Sequence, residues 1–155
     1  MIDYFAIKTL HILSATLMFG TGFGTAFYMF FANRSGNVAA IAVVTRWVAR
    51  ADWWFTTPAV IIQPLSGWWL MRQLGWELGW NWVGLTLLLY AIAGACWLPV
   101  VWLQLKMRDM AQSAHAEGHE LPARYWTYER WWTVLGFPAF GGLLVVYWLM
   151  VAKPF

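Results

Sequence analysis

The sequence predicts an all-α integral membrane protein, a bundle of four membrane-crossing helices, and three observations predict it. The 155-residue chain is 61% hydrophobic and only 11% charged, against about a quarter charged in a soluble domain. Its apolar residues gather into four runs of about the 20 residues that a helix needs to cross the hydrocarbon layer. Tryptophans, 14 in all, crowd the ends of those runs, where amphipathic rings favour the lipid–water boundary. So much apolar surface exceeds what a soluble core of this size can hide.

The crossings are expected at about 9–31, 53–71, 82–105 and 131–152, within a single transmembrane domain over 1–155. The first run is longer than the core of a signal peptide and Asp3 spoils a basic leader, so residues 1–31 are read as permanent structure. "ANRSGN", "RQLGWELGWN" and "AEGHELPAR" separate the runs. Trp53, Trp54, Trp80, Trp82, Trp131 and Trp132 flank them as an aromatic belt.

Basic residues give a direction. The first and third loops hold Arg34, Arg46, Arg50, Lys106, Arg108, Arg124 and Arg130, seven in all, against Lys8, Arg72 and Lys153 at the termini and second loop. Basic residues collect on the cytoplasmic side, so loops one and three are expected in the cytoplasm and both termini outward, in the periplasm. The net charge of +3 is small and forms no basic stripe, so nucleic acid is not an expected partner; membrane lipid is. Cys96 is the one cysteine and makes no internal disulfide.

Two helical extensions are expected. "GNVAAIAVVTRWVARADWW" reads as an interfacial helix leading into the second crossing. The third crossing continues to about Ala116, where Gly118 stops it and Pro122 suits the first turn of the next helix. Pro58, Pro64, Pro99 and Pro138 each remove a backbone donor inside a crossing and free the carbonyl four residues earlier. Gln63, at mid-depth, is expected to satisfy such a carbonyl or a neighbouring helix, or to contact a ligand such as a quinone.

The first crossing opens with "KTLHILSATLMFGTGFG", where an ionisable side chain enters the bilayer. At 100° per residue His11, Ala15, Met18, Gly22 and Ala26 share a face, and Thr16, Gly20 and Gly24 lie opposite as a small-residue stripe for close helix packing. An imidazole in hydrocarbon needs a partner. That partner is either a hydrogen-bonding group of the bundle or a metal such as haem iron, with Ala15 and Gly22 leaving space beside the ring. In the haem case Lys8, Arg72 and Lys153 lie at the depth of the propionates, though each also fits an ordinary snorkelling role. Met18 is too near His11 on one helix to take the opposite side of an iron. Met71 and Met150 match His11 in depth, while Met29, Met107 and Met110 belong to the inner side. His115 and His119 read as a solvated loop. No nucleophile–base–acid set, phosphate loop or cysteine metal cluster occurs, so no enzymatic step is assigned.

"IKTLHILSATLMFGTG", "ADWWFTTPAVIIQPLSG" and "CWLPVVWLQLKMRDMA" resemble a bacterial family of predicted integral membrane proteins. That likeness implies residence in the inner (plasma) membrane and no particular activity. More distantly, "IKTLHI" and the closing "VAKPF" resemble HemJ-type protoporphyrinogen oxidase, and the helices broadly resemble the CopD-type copper-resistance domain. The HemJ resemblance implies b-type haem at His11, with Lys8 as its motif neighbour. The lysine that family carries early in its third span is absent from "WNWVGLTLLLYA", so the resemblance implies haem, and the missing lysine puts protoporphyrinogen oxidation in doubt. The expected function is a b-haem-binding membrane protein of redox or haem-handling type, with His11, Met71 and Met150 as candidate metal ligands. The alternatives are a cofactor-free membrane scaffold or partner subunit and a copper-handling protein. A membrane redox partner, a quinone or a homodimer is compatible with the first of these.

Overall fold

The structure is a computed structural model that describes residues 2–154. Helix α1 spans Ile2–Arg34 and α2 spans Val38–Ala51; a π-helical turn follows at Asp52–Thr56, then α3 at Thr57–Gln73, α4 at Trp82–Glu117 and α5 at Ala123–Ala152. Among the described residues there is no strand, and the four-helix bundle predicted from the sequence is the architecture. Asp3–Arg34, Trp82–Glu117 and Ala123–Ala152 are long and apolar enough to cross a membrane. The 17-residue α3 is shorter and carries Pro64 inside it.

The chain runs up and down. The start of α1, the turn between α3 and α4 and the C-terminus lie at one end of the bundle, the near end. The α1–α2 and α4–α5 turns lie at the far end. Helix α4 packs against α5 and α2, and α1 against α3 and α2, while α1 and α5 meet only sparsely. Each turn has its local cause. Asn37 opens α2 by accepting from the Ala40 N–H at 3.1 Å. Asn81 opens α4 by accepting from Val83 and Gly84 at 3.0 and 3.1 Å. Gly118, at φ 69°, closes α4 in the left-handed region where a Cβ is unfavourable. Pro122 sits just before the first turn of α5, one step earlier than expected.

The segment expected as an interfacial helix is instead part of the bundle. Ala51, Asp52 and Thr57 all keep right-handed helical dihedrals, so α2, the π turn and α3 form one unbroken rod. Ile41, Ala42, Thr45 and Val48 give α2 a buried stripe. That stripe shares a core with Met29 of α1, Val100, Leu103 and Met107 of α4, and Tyr125 and Trp132 of α5. The stripe's burial against other helices outweighs lying flat at an interface. The Tyr125 hydroxyl donates to Asn33 at 2.6 Å in this core. The π turn has its origin in Pro58. Its ring and missing N–H disturb the normal bond to Trp54, and the wider turn bonds Thr57 N–H to Asp52 O instead.

Two further expectations are corrected. Trp53, Trp54, Trp80 and Trp131 are exposed as belt residues, but Trp82 and Trp132 are 9% and 6% exposed and belong to cores. The Thr16–Gly20–Gly24 stripe does not pack: a Cβ added at Gly20 or Gly24 meets nothing within 4 Å. The packed face of α1 is the opposite one, through Ser14, Met18, Met29 and Asn33. Helix α1 therefore contacts its neighbours on one side.

The glycine with the least room for a side chain is Gly84, where an added Cβ would collide with the Gly79 carbonyl across the α4 cap. Gly84→Ala is expected to lower the thermal midpoint in detergent by several degrees, since ~1 kcal/mol moves a chain of this size by about 2–4 °C. Gly20→Leu and Gly24→Leu should leave it unchanged; equal losses for all three would contradict the one-sided packing of α1.

Candidate functional site

In the near half of the bundle a polar chain joins α1 to α3. His11 Nδ1 stands 2.8 Å from Ser66 Oγ, and Gln63 Nε2 stands 3.0 Å from His11 Nε2. Ser14 donates to Gln63 Oε1. The directions follow from the ends. Ser66 gives its single proton to the Ile62 carbonyl, at 2.7 Å, so it accepts from His11 Nδ1–H. Gln63 turns its oxygen to Ser14 and its amide N–H to His11, so Nε2 carries the ring's lone pair. Both ring nitrogens are thus satisfied by protein, as a polar group in lipid requires. The opening histidine joins two helices, and Gly67 lets it do so: a Cβ there would stand 3.1 Å from His11 Cε1.

One turn deeper, Pro64 removes the N–H that would have bonded Val60 O. The Tyr90 hydroxyl of α4 takes that carbonyl instead, at 2.7 Å. Gln63 therefore serves the neighbouring helix, and Tyr90, a residue the sequence did not single out, serves the freed carbonyl.

Below Tyr90 the bundle opens into a cavity of about 400 Å³ between α1, the π turn, α4 and α5. Its walls are apolar: Met18, Gly22, Ala93, Gly94, Gly136 and Phe140 contribute to them. Its polar end is formed by Asp52 and Thr56 of the π turn, Gln104 of α4 and Trp132 of α5. Thr56 donates to Asp52 at 2.8 Å, and Gln104 faces the same end from α4. Gln104 Oε1 and Trp132 Nε1 are buried and have no hydrogen-bond partner among the described residues. Phe23 and Phe137 line the cavity too, yet are 57% and 75% exposed on the outside of the bundle. They rim a lateral mouth where α1 and α5 are sparsely joined.

The sequence-predicted site residues fall into separate places. Gly22 lines the cavity, with Phe140 3.5 Å from an added Cβ, while Ala15 is half-buried on the His11 face of α1. Met71 belongs to an apolar cluster with Trp82, Val83 and Leu149, and Met150 packs against that cluster. Lys8 lies over the Tyr4 ring at 5.7 Å, Arg72 over Trp68 at 5.9 Å and Lys153 over Trp76 at 4.8 Å. A haem iron on His11 would take Nε2, the nitrogen Gln63 holds, so haem fits His11 only once Gln63 has withdrawn. Among the described residues no three His, Cys, Asp or Glu side chains gather as a metal site. The sequence did not single out Asp52, Thr56 or Gln104, and it assigned Trp132 to the belt. The available signal was an acid and a threonine four apart at the edge of an apolar run, and a glutamine inside another.

The tie between Tyr90 and Val60 has a direct test. Tyr90→Phe is expected to cost ~1–3 kcal/mol, the penalty of a buried carbonyl left unpaired. In a Pro64→Ala background the alanine brings back an N–H and the same substitution should cost clearly less. Equal costs in the two backgrounds, measured by unfolding in mixed micelles, would show that the proline does not create the need for Tyr90.

Neither a curated protein nor a solved structure matches the chain. A protein family does, over residues 5–154, nearly the whole length. Both the helices and that match place the chain in the membrane, and it belongs to the family described as predicted integral membrane protein (DUF2269).

Proposed function

We propose that the protein is a membrane-embedded binding protein for a lipid-soluble molecule, which the bundle holds in its internal cavity. The observation that carries this is the cavity itself: about 400 Å³, apolar-walled, with a small polar end and a rim of exposed phenylalanines. Pockets of about 300–1,000 Å³ with few convergent polar groups are the usual form of small-molecule sites. Here the His11–Gln63–Ser66 chain and Tyr90 are the fastenings that hold α1, α3 and α4 around the space. A membrane quinone is one molecule of the required kind.

A b-haem carrier of redox or haem-handling type is the alternative, and one observation favours it. Ser66 fixes the Nδ1–H tautomer and leaves the lone pair on Nε2, the arrangement in which histidine ligates metal. When bound, haem would supply one-electron chemistry, with Gln63 displaced. Orientation remains as the basic residues imply, with the far end cytoplasmic; single cysteines at Asn37 and Gly118 should resist labelling by impermeant reagents in intact cells.

Gly94 and Gly136 line the cavity and have nothing within 4 Å of an added Cβ, so larger side chains there enter the space without meeting backbone. Gly94→Phe and Gly136→Leu are expected to fold with wild-type yield and to lose about tenfold in affinity for an apolar fluorescent probe. Unchanged probe binding would refute the cavity as the site. A Soret band in the purified protein that disappears in His11→Ala would decide for haem; a colourless preparation made with ample haem would decide against it.

A further inference from the structure

We propose that the polar end of the cavity is a headgroup site for a phenolic, quinol-type molecule, with its apolar tail leaving between Phe23 and Phe137; this rests on the cavity being a ligand site. Two atoms carry the inference. Gln104 Oε1 is an acceptor without a donor, and Trp132 Nε1–H is a donor without an acceptor. Their side chains are 5% and 6% exposed, and both residues line the same cavity from adjacent helices. Leaving either atom unpaired in a buried site is costly. A hydroxyl group carries both complementary functions, a proton for Gln104 and a lone pair for Trp132.

A bridging water satisfies both atoms as well; other membrane components leave a remainder. An acyl tail satisfies neither atom. A quinone accepts from Trp132 but has no proton for Gln104. A cationic amine serves Gln104 and Asp52 but presents a donor to the Trp132 N–H. The walls favour a ring over a plain alcohol, since Phe30, Trp97, Phe137 and Phe140 face the space and aromatic rings pair in edge and offset geometries. Asp52, which accepts from Thr56 at 2.8 Å, lines the same end of the cavity.

The test uses the full chain in lipid nanodiscs and three probes: a decyl benzoquinol, the matching quinone and the quinol's bis-O-methyl ether. The quinol is expected to bind about tenfold tighter than the ether, the scale of one or two net hydrogen bonds. Trp132→Phe and Gln104→Leu should abolish the tenfold preference for the quinol over the ether. An ether or quinone that binds wild type as tightly as the quinol overturns the headgroup assignment while leaving the cavity as a binding site. If none of the three binds, and the apolar probe is also indifferent to Gly94→Phe, the cavity assignment falls with it. The comparison of probes on wild type needs no variant to fold.

Discussion

Pro64 leaves the carbonyl of Val60 without its helical donor inside the bundle. In an aqueous protein the loss is shared with solvent; in lipid it must be met by another side chain. Tyr90 meets it from α4. Because a hydrogen bond fixes distance within a few tenths of an ångström, the tyrosine sets how closely α3 and α4 approach. The residue before the proline, Gln63, is then free to reach the other way, toward His11 and Ser14 on α1. Three helices are positioned from two successive residues of α3. The cavity lies beneath that fastening, with Met18, Val60 and Tyr90 at its upper edge.

A second proline acts in the same manner and with a different result. Pro58 disturbs the helix close to its start, and the chain answers with a π turn rather than with a donor from elsewhere. The extra residue in that turn leaves Asp52 and Thr56 buried while Trp53, Trp54 and Phe55 remain exposed. π turns recur at functional positions because they re-aim side chains. Here the re-aimed pair forms one wall of the cavity's polar end.

The four long helices were legible in the sequence because apolar length is a strong and local signal. Gly118 as the stop of α4 was legible too, since a left-handed residue there favours glycine. His11 was visible as an ionisable residue inside a crossing, and its face of α1 is the packed one. Its partners were not visible, because Ser66 is 55 positions away and pairing across helices leaves no periodic trace. The glycine stripe at Gly20 and Gly24 misled for a related reason: spacing shows which residues share a face, not whether a neighbour exists there. Trp82 and Trp132 were assigned to the belt from position along the chain, whereas burial depends on which way the ring turns. The cavity itself was beyond reach, since a void is a property of how four helices fail to fill the space between them.

The lateral mouth has a thermodynamic consequence. With Phe23 and Phe137 forming its rim on the outside of the bundle, a ligand of the proposed kind would arrive from the bilayer and not from the surrounding water. Occupancy is then governed by mole fraction among lipids, and the transfer of the ligand's apolar tail out of water has already taken place before binding begins. Burying that tail adds little further driving force, much as it adds little between transmembrane helices. Discrimination is left to shape and to the few polar atoms at the closed end, so a modest number of hydrogen bonds there can select one membrane component from an abundant background of similar chains.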